Sequence, residues 1–217
     1  MLLLAALPVA VTIVIRVAGG RPGVPGILDT LMIRTVMPLV ALVFGTAALG
    51  SELEDGTAVY LVTKPIARAR IIAAKLAVAG GLTLAMVVPV TMAVALIRTG
   101  LTAESYSAAV AYGVAVAVGG VAYTTVFLAL GTWTGRALVL GLVYVLVWEG
   151  VLAGLMEGVR FVSIRQATLG VAGALSGRDP GVGPLDLTTS VVVLTAAIAG
   201  GLALATWRLS RFEVRAD

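Results

Sequence analysis

The sequence contains neither cysteine nor histidine. Without cysteine, the chain cannot form a disulfide bond, a thiolate nucleophile or a cysteine metal site. Without histidine as well, most zinc sites, Ser-His-Asp triads and histidine proton relays are excluded. The chain therefore lacks the side chains that most enzyme chemistry requires, and we predict that it is not an enzyme and binds no metal.

Charge is also scarce, since only 12% of the 217 residues are charged and 60% are hydrophobic. Ordinary soluble domains have about 25% charged residues, so a soluble protein is excluded. The net charge of +4 could suggest a nucleic-acid partner. The basic residues stand at the ends of apolar runs, however, where they determine membrane topology. We therefore expect no nucleic-acid partner.

Lysine occurs only twice, at Lys64 and Lys75. A Walker A loop needs a glycine-rich turn that ends in Gly-Lys-Ser/Thr and holds the phosphates of a nucleotide. Lys64 precedes a proline and Lys75 precedes a leucine, so neither belongs to such a loop. The chain cannot bind ATP in the P-loop manner, and any ATP-derived energy has to come from a partner.

Long uncharged runs are what the sequence has in abundance. The hydrocarbon core of a bilayer is about 30 Å thick and needs about 20 mostly apolar residues in a helix, because lipid offers the backbone no hydrogen-bond partner. We therefore predict an all-α integral membrane protein, one domain over residues 1–217, with about six spanning helices. The predicted spans are 1–18, 32–50, 74–97, 107–131, 137–156 and 188–208.

Both termini are predicted to lie in the cytoplasm, because an even number of spans places them on one side. Lys and Arg in short loops mark the cytoplasmic side of a membrane protein. Eight of them crowd into short stretches on the side of the termini: Lys64, Arg68, Arg70, Lys75, Arg136, Arg208, Arg211 and Arg215. We expect a multi-pass protein of the plasma (inner) membrane with a cytoplasmic loop at 51–73 and an external loop at 157–187.

The cytoplasmic loop after the second span has an unusual pattern. Three carboxylates, Glu52, Glu54 and Asp55, come first, and an apolar stretch and a series of basic residues follow. Gly56 and Thr57 offer a break and an N-cap for a short helix. That helix would run over residues 58–63.

The short helix at 58–63 ends before Pro65, since the residue before a proline is disfavoured in the α-helical region. A helix of one to two turns cannot bury apolar residues such as Tyr60 and Leu61 by itself. It needs lipid headgroups or a protein groove as a partner surface. The alternative is a solvated turn whose charges only mark the membrane boundary.

This loop resembles the cytoplasmic loop of permease subunits of type-2 ABC (ATP-binding-cassette) exporters. The family pattern is E-x-E-x-G-T, an apolar helix, K/R-P-x-x-R and a lysine that opens the next span. The matching residues here are Glu52, Glu54, Gly56, Thr57, Lys64, Pro65, Arg68 and Lys75. The resemblance implies a coupling helix between spans two and three. It implies that the residues which contact the ATPase are Glu52, Glu54, Asp55, Gly56, Thr57, Tyr60, Leu61, Lys64, Pro65 and Arg68.

The resemblance also implies the partners. These are a cytosolic ABC ATPase that binds ATP and Mg²⁺, a second permease copy (a homodimer partner or a close paralogue) and membrane lipids. The chain itself would carry no cofactor. Such permeases usually begin with an amphipathic cytoplasmic helix, which we expect to precede Met1. A rival interpretation is a passive pore or a membrane scaffold that recruits a cytosolic partner through the same loop.

Glu149 interrupts the fifth predicted span. A charge at the centre of a membrane helix costs about 2.5 to 3.5 kcal/mol on insertion scales, so intramembrane acids are functional candidates. The alternative is that Glu149 lies near the outer interface and pairs with Arg34 or Arg160. Glu149 and Arg34 therefore form a candidate intramembrane polar site.

Glycine pairs recur in three spans, at 80–81, 119–120 and 200–201. Small residues allow helices to approach closely in membranes, so these pairs predict helix packing. Pro38 and Pro89 predict kinks in spans two and three.

Overall fold

The computed structural model describes residues 2–17, 28–54, 67–99, 103–152, 157–177 and 185–211. Over these ranges the chain is helical almost throughout and contains no strand. The prediction of an all-α membrane protein is confirmed.

Within these ranges we number seven α-helices in chain order. They are α1 (Leu2–Val17), α2 (Met37–Glu54), α3 (Arg68–Thr99), α4 (Ala103–Gly131), α5 (Ala137–Val143), α6 (Ile164–Ser176) and α7 (Leu187–Ser210). A π-helical segment, Leu28–Val36, leads into α2, and another, Tyr144–Leu152, continues α5. A 3-10 turn, Glu157–Val162, comes before α6.

Four helical stretches of the described chain are long and apolar enough to cross a membrane. Their bounds are Leu31–Gly50, Arg68–Ile97, Tyr106–Gly131 and Leu187–Ser210. Two further apolar helices are shorter, namely Ala137–Val151 and α1, which has 16 residues. Length and composition therefore support four crossings, and the two shorter helices occupy the positions of the first and fifth predicted spans.

Helix α4 is the centre of the bundle, since it packs against α2, α3, α6 and α7. Its buried positions are mainly alanine and glycine, together with the fully buried rings of Tyr123 and Phe127. Small side chains let helices approach closely in a membrane, where lipid is as apolar as a neighbouring helix and does not drive the helices together. The small residues of α4 therefore allow one helix to contact four neighbours.

Buried threonines satisfy their hydroxyl groups within their own helices. The hydroxyl donates to the carbonyl oxygen four residues earlier, at 2.7 to 2.9 Å, in Thr46, Thr83, Thr91, Thr124 and Thr168. The Thr83 and Thr124 hydroxyl oxygens also lie 3.1 Å apart between α3 and α4. Polar side chains can thus lie inside an apolar bundle without an unsatisfied group.

A change of helix type accompanies Pro38. The π-helical segment Leu28–Val36 ends two residues before this proline, where α2 begins. Proline has no N–H, and its ring clashes with the carbonyl group four residues earlier in a regular α-helix. Hydrogen bonds over five residues widen the turn and make room for the ring. The second predicted kink residue, Pro89, lies inside α3.

The predicted external loop 157–187 contains a buried helix. Residues 164–172 of α6 are all buried, and the helix packs against α4 and α7. Its 13 residues extend about 20 Å, which is less than the hydrocarbon core of about 30 Å. Helix α6 therefore does not cross the membrane by itself, and the side on which it lies stays a prediction.

The glycine pairs do not all serve packing. A Cβ atom added at Gly119 would overlap the Thr168 side chain of α6, and one added at Gly201 would lie 2.9 Å from Thr125 Cγ2 of α4. At Gly81, by contrast, an added Cβ would meet nothing within 4 Å. Close helix contact therefore requires glycine at Gly119 and Gly201, whereas Gly81 faces open space.

We expect Gly119→Ala to destabilise the protein by about 1–3 kcal/mol, because the added methyl group has no room beside Thr168. Gly81→Ala is the matched control, and it should be neutral or stabilising by about 0.5–1 kcal/mol because alanine favours helix over glycine. Thermal unfolding of the purified variants in detergent measures both changes. Equal melting temperatures would show that α4 and α6 do not meet at Gly119.

Candidate functional site

The π-helical segment Tyr144–Leu152 places one acidic side chain inside the bundle. Leu146 and Val147 are exposed, whereas Val145 and Glu149, four residues apart, are buried. Glu149 is only 2% exposed. A carboxylate in this position needs hydrogen-bond donors, because burial of an unpaired charge is very unfavourable.

Close contact at Gly141 positions this segment. A Cβ atom added there would overlap Leu42 of α2 and would lie 3.2 Å from the Phe127 ring of α4. The same Phe127 ring packs edge-on against Tyr144, with centroids 6.2 Å apart. These contacts hold Tyr144 on the inner side of the segment, within reach of Glu149.

Three donors surround the Glu149 carboxylate. Its Oε1 atom accepts the backbone N–H of Ile164 at 3.0 Å and the Tyr144 hydroxyl at 3.2 Å. Its Oε2 atom accepts the Ser163 hydroxyl at 2.5 Å. One donor belongs to the same helical segment and two belong to the start of α6. The carboxylate therefore joins two parts of the chain that are 14 and 15 residues apart.

Glu149 and Ser163 together cap α6. Ser163 lies just before the helix in an extended conformation, and its hydroxyl oxygen accepts the backbone N–H of Gln166 at 3.1 Å. The first N–H groups of a helix have no partner within it, and the helix dipole there favours an anion. The carboxylate satisfies the N–H of Ile164 and the hydroxyl satisfies that of Gln166.

Arg165 brings a positive charge to the same place. It is 1% exposed, and its Nη1 atom donates to the main-chain carbonyl oxygen of Glu149 at 3.1 Å. That carbonyl group lies near the end of the π-helical segment, where carbonyl groups lack partners within the helix. The Arg165 side chain therefore connects the start of α6 to the end of the π-helical segment.

This buried polar cluster (Tyr144, Glu149, Ser163, Ile164 and Arg165) can hold two chain segments in a fixed orientation. No group of three acidic, histidine or cysteine side chains that could hold a metal occurs in the described part of the chain. Ser163 is bound to a carboxylate, and the sequence has no histidine to activate it as a nucleophile. The geometry therefore supports a structural connection between α5 and α6.

Sequence reasoning identified Glu149 but not the groups that bind its carboxylate in the structure. Arg34 is exposed on the π-helical segment before α2 and does not pair with Glu149 in the structure, whose carboxylate is bound by other groups. The side chain of the other expected partner, Arg160, lies outside the described atoms. The overlooked residue is Ser163. Its spacing from Gln166, S-x-x-Q, is that of a capping box and indicates a helix start.

The predicted coupling segment falls largely outside the described ranges. The residues concerned are Asp55, Gly56, Thr57, Tyr60, Leu61, Lys64 and Pro65. Glu52 and Glu54 belong to the last turn of α2, and Arg68 begins α3. The short helix at 58–63 and its contacts with a partner stay predictions.

An apolar cluster lies at the two ends of that segment. Leu49 near the end of α2 and Ile72 near the start of α3 are both fully buried. They pack in one cluster with Leu128 of α4 and with Ala205 and Leu209 of α7. Four helices therefore meet where the coupling segment begins and ends.

A family model described as "ABC-2 family transporter protein" matches residues 9–214. The matched range contains α2 to α7 completely and about half of α1. It thus covers both the buried polar cluster and the segment between α2 and α3. No curated protein matches the chain.

We expect Glu149→Ala to destabilise the protein by about 3–5 kcal/mol, because it removes a buried charge that its neighbours depend on. Ser163→Ala should cost about 0.5–2 kcal/mol through loss of the N-cap. Ser210→Ala is the control, since its hydroxyl is exposed at the end of α7, and it should change stability by less than about 0.5 kcal/mol. Melting temperatures in detergent measure the series.

Glu149→Gln tests how much of this stabilisation depends on the charge of the side chain rather than on its size. The amide keeps the size of the carboxylate and can still accept the Ile164 N–H, so its loss of stability should be smaller than that of Glu149→Ala. Wild-type stability of Glu149→Ala would contradict the capping role and would leave a direct role in transport.

Proposed function

Because the chain belongs to the ABC-2 transporter family and is therefore a permease component of an ABC transporter, we propose that it is the permease subunit of an ATP-driven exporter. Two permease copies form the translocation pathway, and two cytosolic ATPases drive it. The direction of transport and the mode of coupling rest on the E-x-E-x-G-T and K-P-x-x-R pattern between the second and third spans.

The observation that most supports coupling is the apolar cluster at the ends of the coupling segment. Leu49 and Ile72 fix the two ends of residues 51–73 to α4 and α7 through Leu128 and Leu209. Protein interiors are close-packed and transmit displacement rather than absorb it. A helix that an ATPase moves in this segment therefore pushes on four helices at once.

ATP binding is assigned to the partner. Neither of the two lysines has the sequence surroundings of a phosphate-binding loop. The ATPase subunit accordingly holds ATP and Mg²⁺, and the permease supplies only the surface on which the ATPase docks. This surface is acidic before the short helix and basic after it.

The mechanism that follows is alternating access. Binding of ATP brings the two ATPases together, and the docked helix at 58–63 moves with them. The apolar cluster passes this motion to α2, α3, α4 and α7, and the cavity between the two permeases opens outward. The buried polar cluster keeps α6 attached to α5 during this change, because the Glu149 carboxylate binds both segments.

The coupling helix is tested by replacing Tyr60 and Leu61 together with alanine. Full burial of each side chain in a partner groove is worth roughly 1.5 to 3 kcal/mol, so the ATPase should bind at least about tenfold more weakly. Co-purification of the ATPase and ATP hydrolysis by the assembled complex measure the effect.

The matched control replaces Tyr106 and Val110 with alanine. Both are exposed on α4 outside the coupling segment, so the variant loses similar apolar surface without touching the ATPase. The coupling role is contradicted by wild-type ATPase binding and transport in the Tyr60/Leu61 variant. Weakened ATPase binding with unchanged substrate flux would favour the rival interpretation, a passive pore that recruits a cytosolic partner.

The topology is tested with a single cysteine at Ala58. The chain has no cysteine of its own, so in an Ala58→Cys variant only the introduced thiol can react with the label. We expect no reaction with a membrane-impermeant thiol reagent in intact cells and full reaction after permeabilisation. A second variant, Asp186→Cys, places the cysteine at the exposed start of α7 and should react in intact cells. The reverse pattern would place the coupling segment outside and exclude a cytosolic ATPase partner.

A further inference from the structure

An open apolar groove of about 520 Å³ lies between α4, α5 and α7. It is lined by Leu130 of α4, Trp133 in the turn after α4, Leu140 of α5, and Gly200 and Leu204 of α7. Almost the whole lining is apolar, and the Tyr144 hydroxyl at one side is bound to Glu149. The groove is therefore suited to a hydrocarbon chain and offers no pattern of polar groups for a polar solute.

Adjacent glycines in α7 shape this groove in different ways. Gly201 faces α4, where an added Cβ would lie 2.9 Å from Thr125 Cγ2, so it sets the close contact of the two helices. Gly200 faces the groove, and a Cβ added there would meet nothing within 4 Å. The missing side chain of Gly200 leaves the floor of the groove empty.

One end of the groove has the features of a membrane interface. The Trp133 and Trp207 rings lie beside each other there, with centroids 6.4 Å apart. The Arg211 guanidinium lies 4.4 Å from the centre of the Trp207 ring. Tryptophan and arginine at the ends of apolar helices mark the level of the lipid headgroups. The groove therefore opens at the headgroup region of one leaflet.

Three arginines lie on the segments that form this end of the groove, whereas the acidic Glu52 and Glu54 belong to the last turn of α2, which does not line it. Arg136 is exposed in the turn before α5, Arg208 is half-buried and Arg211 is exposed. The sequence has no acidic residue between Glu104 and Glu149 or between Asp186 and Glu213. A cluster of arginines beside the bilayer attracts anionic headgroups, and phosphate accepts hydrogen bonds from guanidinium groups in a favourable geometry.

The length of the groove matches one leaflet. Its lining on α7 extends from Ala196 to Leu204, a rise of about 12 Å along the helix axis. Half of the hydrocarbon core is about 15 Å thick. A second copy of this chain fits less well, because a two-fold contact through this face would bring the arginines of both copies together.

We propose that this groove binds an acyl chain of an anionic phospholipid whose phosphate is held by Arg136, Arg208 and Arg211. The site goes beyond the transport role and does not depend on the ATPase. On the proposed topology it draws its lipid from the cytoplasmic leaflet. A bound lipid covers the open side of α7, so its headgroup links the end of α7 to the turn between α4 and α5.

Tryptophan fluorescence of the permease alone in vesicles tests this site. A Trp148→Phe background leaves Trp133 and Trp207 as the only tryptophans. The vesicles consist of phosphatidylcholine with a small fixed fraction of acyl-brominated phosphatidylglycerol, or of phosphatidylcholine brominated in the same way. We expect the brominated anionic lipid to quench more strongly at equal mole fraction, with a relative affinity of at least about fivefold.

Two variants separate the groove from the arginines. Gly200→Leu should remove the excess quenching by filling the floor, and Gly81→Leu, at the open position on α3, should not. Arg136→Gln with Arg211→Gln should lower the preference for the anionic lipid at least about fivefold, while quenching by brominated phosphatidylcholine persists. Both arginines are exposed, so this double variant tests the site even if Gly200→Leu fails to fold.

The proposal is overturned by equal quenching from the two lipids in the wild-type background, or by an unchanged preference in the double arginine variant. Leu204→Cys in this cysteine-free chain tests whether a second permease copy, rather than a lipid, occupies the groove. A disulfide-linked dimer through that position would assign the groove to a second permease copy and exclude the lipid, whereas a monomeric thiol supports it. None of these results bears on ATPase coupling.

Discussion

Hydrocarbon cannot form hydrogen bonds, and the structure depends on this constraint. A polar group that enters the bundle is stabilised there when it finds its partner in the chain, and among the described residues the buried Gln166 side-chain amide does not find one. Threonine hydroxyls find a partner locally, through the carbonyl oxygen one turn earlier. The start of α6 cannot do so locally, because the first N–H groups of a helix are unsatisfied. Glu149 and Ser163 supply the missing acceptors.

The two ends of the bundle consequently differ in character. At the Glu149 end, a charged and hydrogen-bonded cluster fixes the orientation of α6, and such a cluster loses much of its stability if one member is displaced. At the other end, α2, α3, α4 and α7 meet through apolar contacts that include Leu49 and Leu209. Apolar contacts have no required direction, so close-packed helices can shift together while their side chains stay buried.

The fold class could be predicted from composition alone, and the ABC-2 family assignment agrees with the resemblance seen in the loop pattern. Glu149 could be identified by its position in an apolar run. Its partners could not, since Ser163 and Ile164 are more than ten residues away and the polar "SIRQ" stretch is typical of a loop. Helix α6 was overlooked for the same reason, although the Ser163 to Gln166 spacing indicated a helix start.

The sequence by itself determined that this is an all-α membrane protein, because a run of about 20 apolar residues has one stable environment whatever its neighbours are. It also excluded thiol, histidine and P-loop chemistry, because those side chains or patterns are absent. Only the tertiary structure decided that Gly119 lies against Thr168 of a neighbouring helix, whereas Gly81 and Gly200 have no neighbour on that side. It also decided which donors surround Glu149. Contacts of this kind depend on the angle and rotation at which whole helices meet, and residues distant in the chain set those angles together.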